Sequence, residues 1–184
     1  MIITITGYPG SGKSTLGKGI AKELGLKHYS AGDFWRQIAK EKGLTPTELN
    51  RLAEKDNSID KAIDERTKKL AQKEDGFVID SRLAWHFIPK SIKVFVKVDL
   101  KKAAERVFKD MRPDEKEHST LEKTFENLAH RKSLEVQRWK QMYGLDYLDE
   151  KNYDIIVDST YTSIQETRKK TVEKIKKMAP KNKR

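Results

Sequence analysis

Apolar positions along this chain shift between strand-like runs and a three-to-four-residue spacing, which predicts strands alternating with helices. Ile2-Ile3-Thr4-Ile5-Thr6 is an apolar, β-branched run of one strand's length. Leu16, Ile20 and Leu24 then recur at helical spacing, and Gly25 closes that helix. Lys27-His28-Tyr29 reads as a short strand ending at a turn, Ser30-Ala31-Gly32-Asp33, after which Phe34, Trp35, Ile38 and Ala39 carry a helix to Gly43. Thr45-Pro46-Thr47-Glu48 starts another helix, with a capping threonine, proline in the first turn and glutamate three residues after the cap. Ile59, Ile63 and Leu70 mark a helix from about Ser58 towards Lys73, and Gly76 releases the strand Phe77-Val78-Ile79-Asp80.

The second half repeats the alternation. Ile92 to Val98 is a strand, Asp99 caps the helix that follows, and Leu100, Ala103 and Val107 carry that helix to Met111. Arg112-Pro113-Asp114-Glu115-Lys116-Glu117 has no apolar period and reads as an exposed excursion. From Ser119 a long helix carries Leu121, Phe125, Leu128, Val136, Trp139 and Met142. Asp154 to Val157 is the last strand, and Ser163-Ile164-Gln165-Glu166 caps the closing helix. This alternation predicts an α/β domain with a parallel sheet covered on both faces.

With 184 residues the chain is expected to form one domain with a full core. No apolar run is long enough to span a membrane, and no charged leader with an apolar segment opens the chain. The absence of cysteine excludes disulfides, thiolate metal sites and cysteine nucleophiles, and fits a cytoplasmic protein. The net charge of +11 admits two readings, a nucleic-acid partner or an enzyme whose substrates are polyanions. Much of the excess lies between Arg168 and Arg184, where a lysine-rich solvated face is the commoner explanation.

The chemistry is concentrated in Gly7-Tyr8-Pro9-Gly10-Ser11-Gly12-Lys13-Ser14-Thr15, between the first strand and the first helix. Strand, glycine-rich loop and helix are the context in which G-x-x-x-x-G-K-[ST] binds the phosphates of a nucleoside triphosphate. Such a loop turns backbone N–H groups inward and aims a helix N-terminus at the anion. Lys13 is then expected on the β- and γ-phosphates, and the Ser14 hydroxyl on Mg2+. No N-K-x-D or D-x-x-G motif of a GTPase is present. Asp80 is followed by Ser81 and Arg82, where ATP-hydrolysing motors place a glutamate that activates water. Transfer to another acceptor is therefore favoured over hydrolysis.

Gly7–Thr15, Tyr29-Ser30-Ala31-Gly32-Asp33-Phe34-Trp35-Arg36, Ile79-Asp80-Ser81-Arg82-Leu83-Ala84, Tyr143-Gly144-Leu145-Asp146 and Tyr153–Thr160 occur in this order. Together they resemble the short cytidylate kinases of the archaeal type, over nearly the whole chain. The S-x-G-D-x-x-R and Y-G-[IL]-D stretches are the more specific part of that resemblance. It implies a three-layer P-loop kinase fold of sheet order 2-3-1-4-5, a helical monophosphate-binding region near 31–75 and a short lid near 109–119. It further implies ATP- and Mg2+-dependent phosphoryl transfer to a nucleoside monophosphate, CMP or dCMP first; a monomer is expected, with no membrane partner, and the lysine-rich but motif-free surface argues against nucleic acid. A kinase for AMP, UMP or a nucleoside is the nearer alternative, and a nucleic-acid-binding P-loop ATPase the more distant one. One departure is Trp85, a bulky ring where the family usually has glycine, close to the expected acceptor site.

The resemblance places Asp80 beside the phosphate loop as a magnesium ligand, directly or through water, a helix or turn cap being the alternative. It assigns Arg36 and Arg82 to the acceptor phosphate, in a pocket lined by Ser30, Gly32 and Asp33. Planar guanidinium groups suit a phosphate dianion, although a surface ion pair or a helix cap would also use these residues. Arg106 and Arg112 flank the polar excursion, and Arg131 and Arg138 lie two helical turns apart on one face. Monophosphate kinases close such arginines over the transferring group, so Lys13, Arg112, Arg131 and Arg138 are the expected catalytic set.

Overall fold

Strand β1 (Ile2–Gly7) runs through the centre of the molecule with residues buried on both of its faces, Ile3 and Ile5 on one and Thr4 and Thr6 on the other. Buried hydroxyls need partners. Thr4 has the Ser91 hydroxyl at 3.0 Å, and Thr6 donates to the Ser81 carbonyl at 2.9 Å. The computed structural model describes residues 1–53, 55–110 and 120–178. After β1 come α1 (Lys13–Leu24), β2 (Lys27–Ser30), α2 (Ala31–Glu41), α3 (Pro46–Ala53), α4 (Ser58–Lys73), β3 (Phe77–Asp80) and α5 (Ala84–Phe87). The chain continues through β4 (Ile92–Lys97), α6 (Leu100–Lys109), α7 (Leu121–Tyr143), β5 (Ile155–Asp158) and α8 (Ile164–Met178).

The five strands form one sheet of order β2-β3-β1-β4-β5, with every neighbouring pair parallel. On one face α1 and α8 bury Leu16, Ile20, Val172 and Ile175 against Ile3, Ile5, Val78, Val94, Val96 and Ile155. The other face is more aromatic: Phe95, Trp139, Tyr147 and Tyr153 pack together there with Leu83 and Trp85. The region 31–75 consists of α2, α3 and α4, which share a small core of their own made of Ala39, Leu49, Ala53 and Ile59. No helix among the described residues is long and apolar enough to cross a membrane.

The caps behave as local chemistry requires. Asp99 accepts from the amides of Lys101 and Lys102, and Thr45 and Glu48 exchange bonds at the start of α3, as Ser163 and Glu166 do at the start of α8. Three details differ from the sequence reading. Ala31-Gly32-Asp33 is the first turn of α2 rather than a loop, with Ser30 at its cap position. The four-residue α5 was not expected, because so short a helix has no apolar period to detect. Helix α7 starts at Leu121 with Thr120 as its cap, accepting from the Lys123 amide. The lid expected near 109–119, with Arg112, lies outside the described residues beyond Asp110.

Candidate active site

Parallel register puts Asp80 opposite Ile5, so that β1 and β3 end side by side and both carboxyl ends open on the same edge. From β1 the chain enters the loop at Gly7, where a Cβ would stand 2.5 Å from the Val96 carbonyl oxygen; only glycine permits this approach. Tyr8 donates its amide to Val96 and Ser11 donates to Tyr8, which folds the loop back on itself. Gly12, at φ 78°, then turns the chain into α1. The first intrahelical bond runs from the Leu16 amide to the Gly12 carbonyl, so the amides of Lys13, Ser14 and Thr15 belong to the open, electropositive helix end. Pro9 and Ser11 are buried within the loop, while Tyr8, Gly10, Lys13 and Ser14 are half-buried and Thr15 is exposed.

Around that end stand two carboxylates and three cations. Asp80 accepts from Ser14 Oγ, Ser30 Oγ and His28 Nε2, each at 2.8 Å. Burial works against its ionisation, but the His28 bond and the Lys13 charge hold it below the usual carboxylate range. An ionised carboxylate can only accept, so His28 carries its proton on Nε2. The Lys13 ammonium is lowered to about 7, first by burial and then by the Arg82 charge, against the pull of Asp80 and Glu135. Arg82 gives Glu135 its Nε and one Nη, at 2.5 and 3.2 Å, and Arg131 gives the same carboxylate its Nε at 3.1 Å. Burial would raise Glu135, yet the Arg82 charge brings it down to about 2.

The next turn of α7 faces α4. Arg138 reaches Asp60 at 3.4 Å, and the Tyr143 hydroxyl donates to Asp64 at 2.6 Å. Both aspartates are buried and pushed up to about 6, Asp60 against the opposing charge of Arg138 and Asp64 against the Tyr143 bond. At the mouth of this side Arg36 pairs with Asp33 at the surface, and its guanidinium lies 3.6 Å from where a Cβ on Gly32 would be.

The structure thus brings Lys13, Ser14, Ser30, Asp80, Arg82 and Arg131 to one end of the sheet, while Gly32 and Asp33 lie in the first turn of α2, Arg36 in its second, and Arg138 bonds Asp60 of α4. Ser30 turns its hydroxyl to Asp80. Arg106 is elsewhere: it donates to the Ser159 and Thr160 carbonyls, and Ser159 in turn bonds the Ser11 carbonyl of the loop. Trp85 does not stand in open space. Its ring is buried in the aromatic cluster beside Tyr153, and its N–H donates to the Arg82 carbonyl at 3.0 Å, fixing the backbone from which Arg82 extends. Sequence reasoning missed His28, Asp60, Asp64 and above all Glu135. The available signal for Glu135 was its place four residues after Arg131 and three before Arg138, on the face already singled out.

A sequence model of the cytidylate kinase-like family matches residues 2–161. A cytidylate kinase of Methanothrix thermoacetophila is 38% identical over 159 residues, 86% of this chain and 88% of its own. One from Pyrococcus horikoshii is 37% identical over 161 residues, 87% of this chain and 80% of its own. Among solved structures, a shikimate kinase from Bacteroides thetaiotaomicron superposes with a TM-score of 0.68 at 16% identity, over 96% of this chain and 98% of that one. A gluconokinase from Sinorhizobium meliloti gives 0.57 at 17% identity, over 96% and 92%. At such identities these two likenesses concern the fold alone.

Proposed function

The chain belongs to the cytidylate kinase-like family, and on that premise we propose that it transfers the γ-phosphoryl group of ATP to CMP or dCMP. An acceptor phosphate oxygen bonds to the γ-phosphorus, the bond to the β–γ bridging oxygen breaks, and ADP leaves with that electron pair. The observation that carries transfer rather than hydrolysis is the state of the two carboxylates nearest Lys13. Asp80 already holds three donors, and Glu135 holds Arg82, Arg131 and the Tyr147 hydroxyl. Against burial, His28 and Lys13 hold Asp80 below the usual carboxylate range and the Arg82 charge holds Glu135 low, so both are weak bases towards water. A monophosphate dianion needs no such base.

In this reading Gly7, Tyr8, Pro9, Gly10, Ser11, Gly12, Lys13, Ser14 and Thr15 cradle the ATP phosphates. Arg36 and Arg82 take the acceptor phosphate, with Ser30, Gly32 and Asp33 shaping its entry. Lys13, Arg112, Arg131 and Arg138 meet the charge that spreads over the equatorial oxygens. The donor set also fits Mg2+: Ser14 Oγ and Asp80 Oδ2 are hard oxygens 2.8 Å apart, the hydroxyl donating to the carboxylate. Among the described residues no cluster of three or more His, Cys, Asp or Glu offers an all-protein cage. Mg2+ bound together with ATP would be held largely by substrate phosphates and would supply positive charge against the charge of the transferring group. Ser14 and Asp80 would hold it, while Ser30 and His28 keep the carboxylate turned towards it.

The test is ADP release from ATP with Mg2+ against CMP, dCMP, UMP, AMP, GMP and dTMP in parallel. CMP or dCMP is expected to give the highest kcat/KM. ADP release that does not depend on any monophosphate would overturn the reading.

A further inference from the structure

Among the groups that the proposed reaction leaves without a role, Glu135 stands out by its surroundings. Its side chain is 13% exposed, on the side of α7 that faces the loop end. Four polar hydrogens converge on its two oxygens: Arg82 Nε and Nη, Arg131 Nε and the Tyr147 hydroxyl, the last at 3.0 Å from a fully buried ring. A guanidinium has two edges that can grip an anion, one made of Nε with an Nη and one made of the two Nη groups. Glu135 occupies the Nε edge of Arg82 and the Nε of Arg131. What remains turned away from the carboxylate is the two-pronged end of each arginine, the end that matches a phosphate.

We propose that Glu135 is a positioning residue, which holds Arg82 and Arg131 by their Nε sides and so presents both forks to the phosphates beside Lys13. The carboxylate touches no substrate, since phosphate oxygens would repel it. It acts through the arginines. Lys13, Arg82 and Arg131 converge on one end of the sheet, and Glu135 and Asp80 are the carboxylates that oppose their mutual repulsion. The Tyr147 hydroxyl and the Trp85 N–H, on the Arg82 carbonyl, lock the assembly to the aromatic core behind it. Arginines fixed in this way need no ordering when substrate arrives, and fixed donors are what stabilises developing charge. The family relationship does not by itself identify this residue; the convergence of hydrogens does.

The inference rests on the transfer reaction proposed above, so wild-type ADP release with ATP and CMP is measured first. If no monophosphate is turned over, that reading fails and this one with it. Given wild-type activity, Glu135→Gln is expected to lower kcat by about 10- to 100-fold and to raise KM for CMP, with KM for ATP changed less than about threefold. The amide keeps the shape but turns an N–H against an arginine N–H. Glu135→Asp keeps the charge on a shorter arm and should recover part of kcat. Tyr147→Phe removes only the anchoring hydroxyl and should lower kcat by about two- to fivefold, which keeps the inference testable should Glu135→Gln fail to fold. The deciding measurement is a double-mutant cycle. In an Arg131→Ala background Glu135→Gln should cost clearly less than in wild type, because part of its effect passes through Arg131. Fully additive losses, or wild-type kcat and KM for CMP in both Glu135→Asp and Tyr147→Phe, would overturn it.

Discussion

The phosphate loop and the facing side of α7 bring positive charge to the same end of the sheet by different means. The loop presents backbone: its shape comes from Gly7 passing the Val96 carbonyl and Gly12 at positive φ, and it is seated on the apolar layer of Ile3, Ile5, Leu16 and Val96. Side chains make up the α7 face. Arg131, Glu135 and Arg138 are useful only because Arg82, Asp60 and Tyr147 come from other parts of the chain to meet them. A backbone cradle is specified within nine consecutive residues, and Lys13 is the one charged side chain among them. The side-chain array needs buried ion pairs, whose desolvation offsets much of their attraction. One region is therefore expected to be robust and indispensable, the other tunable and costly in stability.

The largest effect expected from that contrast is at Lys13, the side chain through which the loop acts on the transferring group in the proposed reaction. Lys13→Ala should lower kcat by about 10³-fold. The melting temperature of the ligand-free protein should hold or rise, because the change removes an ammonium that burial and Arg82 both disfavour. Steady-state ADP release and thermal melting of one preparation decide it. A folded Lys13→Ala enzyme with wild-type turnover would remove the loop from the chemistry and the contrast with it.

An intermediate effect is expected on α7. Arg131 is half exposed and paired with Glu135, so it contributes little to stability, yet in the proposed reaction its two Nη groups would meet charge that develops during transfer. Arg131→Ala should lower kcat by about a hundredfold or more, of order 2.7–4 kcal/mol, with a smaller change in either KM. Arg131→Lys should recover only part, because an ammonium lacks the fork. Full activity in the lysine variant, or a change confined to KM, would make Arg131 a binding or surface residue.

The same contrast explains what could be read in advance. The loop and the caps at Asp99, Thr45 and Ser163 depend on residues within a few positions of one another, and local chemistry specifies them; the strand order pairs residues as distant as Ile2 and Phe77 and is implied only by the family resemblance. Glu135 meets Arg82 across 53 residues, and its local signal, the spacing from Arg131 and Arg138, is one that a solvated helix glutamate shares. Trp85 was placed near the acceptor by its position in a motif, whereas the fold turns the ring into the aromatic cluster and uses its N–H on the Arg82 backbone. Asp60 and Asp64 look like the polar face of α4, yet in the fold both are buried and meet Arg138 and Tyr143 of α7.

Those two aspartates give the smallest and most direct test of the cost. Asp64 lies against Asp60, Glu65, Lys68 and the Tyr143 hydroxyl, and burial raises its pKa to about 6. A carboxyl raised on folding binds more proton in the folded chain than in the unfolded one between its two pKa values. Stability from this site is therefore highest below the unfolded value, near pH 4, falls as pH rises to about 6, and stays low above that. The loss at neutral pH is of order 1–3 kcal/mol. Asp64→Asn keeps an oxygen for the Tyr143 hydroxyl and never ionises. It should raise the melting temperature by roughly 2–8 °C at pH 7.5 and leave it nearly unchanged at pH 4. Because Asp60 is one of the charges that raise Asp64, the variant should also ease the ionisation of Asp60, adding to the gain at pH 7.5. An equal shift at both pH values would mean that packing and not charge sets the effect. A fall at pH 7.5 would mean that the ionised carboxylate stabilises α4 against α7, and the α7 side would then carry no electrostatic cost for the loop to be contrasted with.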